Sequence, residues 1–151
     1  MAITPEQVKE LRDKTGVSVM ECKKALEQSG GDMDAALKIL GERAAASVGK
    51  KADRTLAAGT VAAYVHSNKQ VGAMVSLACE TDFVSKNEEF IALAYDIAMH
   101  VIAMRPATME ELLAQPYIKD GEKTVADLIS SATQKFGERT DIADFSCFAV
   151  A

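Results

Sequence analysis

Apolar residues return every three or four positions through the first 46 residues: Val8, Leu11, Met20, Ala25, Leu26, Ala36, Leu37 and Leu40. That spacing puts them on one side of a helix and gives each segment a stripe to bury. Polar punctuation divides the stretch into three helices. Thr4-Pro5-Glu6-Gln7 opens the first, with Thr4 as cap, Pro5 at the first helical position and Gln7 placed to bond back. Thr15-Gly16 closes it. Ser18 to Glu21 forms a second capping box, whose helix runs through Cys22 to Gln28 and breaks at Ser29-Gly30-Gly31. Asp32 caps a third helix from Met33 to about Ala46. A small, basic, non-periodic run from Ser47 to Arg54 then reads as a linker.

Beyond it the period changes to two. Thr60–His66 and Val71–Cys79 are rich in Val and Ala and enclose the turn residues Ser67 to Gln70, which predicts a β-hairpin. On its second strand Val71, Ala73, Val75, Leu77 and Cys79 share one face. Ser85-Lys86-Asn87-Glu88 reads as a capping box before a long helix with a wide apolar face, from Phe90 to Ile102, stopped by Arg105-Pro106. A short helix follows near Met109 to Ala114, then a turn at Pro116 and Asp120-Gly121, then a helix from Thr124 to Gly137. The tail Ile142 to Val150 reads as a third strand with apolar groups on both faces, Phe145 and Cys147 on one, Phe148 and Val150 on the other. Such a strand either lies central under helices or finds cover on a second copy of the chain. The expected fold is α+β, with residues 1–46 a three-helix module, 47–54 a linker and 55–151 a small antiparallel sheet packed with helices.

Composition narrows the function. The 151 residues, 48% hydrophobic and 26% charged, suit a folded protein. Residues 1–54 carry a net +1 and residues 55–151 a net −6, so neither half offers the cationic footprint that phosphate backbones need, and no direct nucleic-acid partner is expected. Cys22, Cys79 and Cys147 are odd in number and widely spaced, against a disulfide framework or a zinc ribbon. No membrane segment or export signal is visible, so a cytoplasmic protein is expected. Phosphate-loop, dinucleotide, metalloprotease and serine-hydrolase signatures are all missing, and neither a cofactor nor a metal is expected. Asp96 and His100, four apart on one helix, could pair as base and orienting carboxylate, but no nucleophile is indicated beside them, and a local polar contact is the plainer reading.

The connection Glu80-Thr81-Asp82-Phe83-Val84 stands apart, because it sets an acid beside a phenyl ring in a tight link between strand and helix. Either Phe83 packs under the hairpin while Asp82 helps cap the helix, or the ring is an exposed probe for another protein's surface.

At this point the chain resembles a family. Leu11-Arg12, Lys14-Thr15-Gly16, Met20, Cys22 to Leu26 and Gly31-Asp32 are similar to the amino-terminal module of translation elongation factor Ts, and Cys79 to Val84 is similar to that family's central motif. Ser76 and Ala78 depart from the family's acid and Asn before the Cys, Ser18-Val19 from a more usual Gly-Met, and the closing strand lacks arginines common there. With no room for a second full core subdomain, the chain resembles the short members. The resemblance implies no enzyme but a guanine-nucleotide exchange factor that binds the GTPase domain of elongation factor Tu and speeds GDP release. It also implies a ubiquitin-associated-like form for the helical module. Arg12, Met20 and Lys23 would touch the partner from that module, and Thr81, Asp82, Phe83 and Val84 would lie near its magnesium and phosphate site. A homodimer through the carboxyl-terminal strand is a further expectation. Two rivals stand beside this reading: a ubiquitin-associated-like binding module fused to an unrelated core, and a thiol enzyme using Cys79 or Cys22.

Overall fold

The computed structural model describes residues 2–151, and they divide into two compact units. One comprises the residues up to Ala52 with Ser130–Gly137, the other Asp53–Ile129 with Glu138–Ala151.

The first unit holds α1 (Pro5–Thr15), α2 (Val19–Gln28) and α3 (Met33–Lys51). Local chemistry sets each start. Thr4 Oγ1 accepts from the Gln7 amide at 3.2 Å while Gln7 Oε1 accepts from the Thr4 amide at 3.0 Å, a complete capping box. Gly16 ends α1 with φ +69°, a left-handed cap that favours glycine. At α2 only half of the expected box forms: Ser18 accepts from the Glu21 amide, but the Glu21 carboxylate turns to the Arg43 guanidinium at 2.7 Å. A charge-assisted bond to another helix outcompetes a bond back to the cap. Asp32 caps α3 through the Ala35 amide. That helix runs on through Ser47, Val48, Gly49 and Lys50 to Lys51, a stretch whose composition read as linker, because extending a helix already nucleated costs far less than starting one and Lys50 and Lys51 are good helix formers placed in its last turn. Leu11, Val17, Cys22, Ala25, Leu26, Ala36 and Leu40 form the buried core of this unit.

The second unit is built on a three-stranded antiparallel sheet in the order β1-β2-β5, from β1 (Ala58–Val65), β2 (Val71–Cys79) and β5 (Asp141–Ala149). The hairpin register pairs Ala58 with Cys79 and Val65 with Gly72. Gly59 is required in it, since a Cβ there would stand 2.6 Å from the Leu77 carbonyl oxygen. The helices are α4 (Asp82–Ser85), α5 (Glu88–Met104), α6 (Met109–Ala114) and α7 (Val125–Phe136), the last running from Ser130 on with the first unit. α5 packs on β1 and β2 and buries Phe90, Ala94, Ile97, Ala98 and Val101. Its cap differs from expectation. Asn87, not Ser85, caps α5, accepting from the Glu89 amide at 2.8 Å; Ser85 is buried in the preceding turn, where its hydroxyl donates to the Asp82 carbonyl. Pro116–Tyr117 and Asp120–Thr124 form a second, two-stranded sheet, β3 and β4, where a turn alone was expected. Thr124 and Asp127 cap α7 reciprocally, and Gly137 closes it with φ +71°.

β5 is an edge strand beside β2, with Val75 opposite Phe145 and Met74 opposite Ser146. The alternative of a central strand under helices is thereby excluded. α5 covers one face of the sheet; on the other, Val61 and Val65 of β1, Met74 of β2 and Phe148 of β5 are exposed, as is Val150 just past β5. No helix among the described residues is long and apolar enough to cross a membrane.

Candidate functional site

The connection after β2 is one turn of helix, α4, with Thr81 at its cap position in extended geometry. Asp82 and Phe83 lead that turn, and both are exposed. The Phe83 ring is 91% exposed, which excludes the reading in which it packs beneath the hairpin. Val84 is half-buried and Ser85 buried, so the turn roots itself on its C-terminal side and presents its N-terminal side outward.

A ring left in water on a one-turn helix needs a stiff base, and this one has anchors at both ends. On the far side the Thr60 hydroxyl of β1 donates to the Ser85 carbonyl at 2.6 Å. On the near side the Cys79 thiol donates to the Thr81 carbonyl at 3.3 Å. Glu138, just past α7, accepts the amides of Glu80 and Thr81 on Oε1, at 3.1 and 2.9 Å, and the Thr81 hydroxyl on Oε2 at 2.6 Å. Glu80 returns the contact by accepting the Arg139 amide at 2.6 Å, and it pairs with Arg54 at 3.5 Å. Nothing in the periodicity announced Glu138; Gly137-Glu138 is similar to the closing turn of the family that the chain resembles, and a carboxylate on such a turn can reach exposed amides.

The second set of expected site residues lies in the helical unit. Arg12 of α1 and Lys23 of α2 line one shallow groove together with Ile3, Val8, Lys9 and Val19. Its floor is apolar and its rim cationic. Met20 stands beside Val19 on α2, 66% exposed against 52% for Val19. Val19, which departs from the family pattern, thus extends the apolar surface rather than interrupting it.

The remaining candidates separate. Asp96 and His100 face different partners: Asp96 pairs with Lys119 at 2.8 Å, while His100 is fully buried between Gln115 and Ile118. The Ile118 amide donates to Nδ1, so the imidazole proton sits on Nε2 and goes to Gln115 Oε1 at 3.0 Å. Tyr117 stacks on that ring, and burial, with the Asp96 charge adding, pushes its hydroxyl up to about 12. The pair tethers α5 to the 115–119 segment. His66 is exposed beside the Tyr64 hydroxyl at 3.1 Å. Cys22, Cys79 and Cys147 are free thiols; burial pushes the first two up, the Glu138 charge adding at Cys79. Among the described residues no cluster of His, Cys, Asp or Glu is arranged to hold a metal ion.

A family model for elongation factor TS matches residues 80–151, the span from the tip to the closing strand. The chain is similar to elongation factor Ts of Thermodesulfovibrio yellowstonii, 39% identical over 99% of this chain and 97% of that protein. It is 36% identical to elongation factor Ts of Desulforamulus reducens over 95% of this chain and 87% of the relative. Against elongation factor Ts of Trichlorobacter lovleyi it is 43% identical over 99% of its own residues, but spans only 48% of that longer protein. By these likenesses the chain belongs to the elongation factor Ts family, whose members are translation elongation factors. The first of these alignments runs over 194 positions for 151 residues, so that relative carries internal residues this chain lacks.

Proposed function

We propose that this chain is a guanine-nucleotide exchange factor of the cytoplasm, which binds the GTPase domain of elongation factor Tu in its GDP form and speeds GDP release without making or breaking a bond itself. The observation that carries the reading is the bare Phe83 ring on an anchored turn, in a chain of this family. A ring of that size left in water is an anchor awaiting a pocket. Pushed between the elements that hold magnesium and diphosphate, it displaces them, while the Asp82 carboxylate repels phosphate and competes for the metal. Loss of the metal unscreens the phosphates, and the nucleotide leaves faster. The coupling is reciprocal: by whatever factor this chain weakens GDP binding, GDP weakens the binding of this chain. The groove of α1 and α2 supplies adhesion, its apolar floor and the Lys9, Arg12 and Lys23 rim suiting an amphipathic helix with acidic flanks.

A second copy of the chain is the occupant we assign to the open face of the sheet. Val65, Met74, Phe148 and Val150 form an apolar surface across the open face of the sheet, from β1 to the edge strand β5, and an edge with an apolar face suits a symmetric pairing.

The deciding measurement is release of fluorescent GDP from purified elongation factor Tu, with and without this chain. Faster release is expected; an unchanged rate at saturating chain rejects the exchange reading. Sedimentation equilibrium under reducing conditions tests the pairing, which a mass of one 16.1 kDa chain would remove.

A further inference from the structure

We infer that Glu138 is a positioning residue for the tip: it sets the direction in which Phe83 projects and so governs how fast a bound partner loses its nucleotide. The inference rests on the exchange reading above and adds a residue to it. β2 ends at Cys79 and α4 is a single turn, so the path of Glu80 and Thr81 between them decides where the ring points. Both amides of that pair, and the Thr81 hydroxyl as well, are spent on the one Glu138 carboxylate. Thr81 therefore makes no side-chain cap on α4; its hydroxyl is turned to Glu138. The reverse contact, from Glu80 to the Arg139 amide and the Arg54 guanidinium, closes the clamp from the other side. Bonds to a carboxylate acceptor are the stronger kind, and three of them converge on the one half-buried Glu138 side chain.

The test is a double-mutant cycle in the full chain, read as the maximal rate of GDP release and, separately, the concentration giving half of it. Glu138→Ala should lower the maximal rate on the order of tenfold, with the half-saturating concentration little changed, because the helical groove is untouched. Glu138→Gln, which keeps an oxygen for the two amides and loses the charge, should fall between Glu138→Ala and wild type. Combined with Phe83→Ala, Glu138→Ala should cost far less than it does alone, a few-fold at most, since it acts chiefly through the ring. Amide exchange at Thr81 in the chain alone should quicken by at least about tenfold in Glu138→Ala, with the global midpoint of Glu138→Gln kept near wild type. Wild-type release rates in both Glu138 variants, or losses that add to that of Phe83→Ala, overturn the inference while leaving the exchange reading intact. A wild-type chain that does not stimulate release at all overturns the exchange reading, and this inference with it.

Discussion

The helical groove and the aromatic tip meet the solvent in opposite ways. The groove is a shared surface to which two helices contribute, with Val8, Val19 and the stems of Arg12 and Lys23 each adding a part. The tip is one ring, nearly all in water, on a turn four residues long and rooted by bonds from both sides. A surface assembled from many modest contacts gives affinity and loses it gradually; a single directed group gives an effect that one substitution removes. On the exchange reading proposed above, the contrast amounts to a division of labour within one small chain, adhesion in one unit and action in the other.

That division can be broken most sharply at the ring. Phe83→Ala should reduce maximal GDP release by about 30- to 1,000-fold, the equivalent of about 2 to 4 kcal/mol, and leave the thermal midpoint unchanged because the side chain touches little. Calorimetric unfolding beside the release assay checks both halves. The reverse pattern is expected at the groove. A Val19→Asp and Met20→Asp pair should weaken binding by about 10-fold in a titration, with the rate at saturation retained. If saturation fails to restore the rate, the two regions are not separable. A smaller effect on exchange is expected from Phe148→Glu on the open sheet face, which should bring the sedimentation mass to one chain while release falls only about 2- to 3-fold. Asp82→Ala should cost a similar few-fold, since a single exposed charge contributes little beside an aromatic ring that enters a partner's pocket.

The smallest effect concerns the thiols. Burial raises the Cys22 and Cys79 pKa, so less thiolate is present near neutral pH and alkylation should be slow there, quickening only as pH climbs past the ordinary thiol range. Half-exposed Cys147 should react first. Mass spectrometry after brief iodoacetamide treatment at pH 7 reads the order, and exchange activity should be unchanged. A fast Cys79 with lost activity would revive the thiol-enzyme reading.

Much of this was legible because chemistry at single positions fixes local structure. Thr4 with Gln7, Asp32 and Gly137 mark real boundaries, and the alternation of β2 named its buried face. Where two polar residues competed for one role the sequence was ambiguous: Ser85 and Asn87 can both cap, and Ser85 lost because the α4 turn buries it. The β3–β4 hairpin escaped notice because Asp120–Thr124 is polar throughout and has no apolar face to alternate, its order coming from Tyr117 stacked on His100. Glu138 escaped for a different reason. Its partners stand 57 and 58 residues away, and nothing in a local pattern reports a contact made by backbone amides so distant in the chain.

That separation has a consequence in time. A ribosome adding about 5 to 20 residues per second delivers Glu138 some 3 to 12 s after Thr81. The hairpin of β1 and β2 closes within about 1 to 10 μs once both strands are free, so it is in place long before. For those seconds the connection that carries the ring has no clamp at its base. The edge strand arrives later still, its Asp141–Ala149 following the clamp. The ring is therefore made before the residue that clamps its base, and on the exchange reading proposed above its aim depends on chain added long after the ring itself.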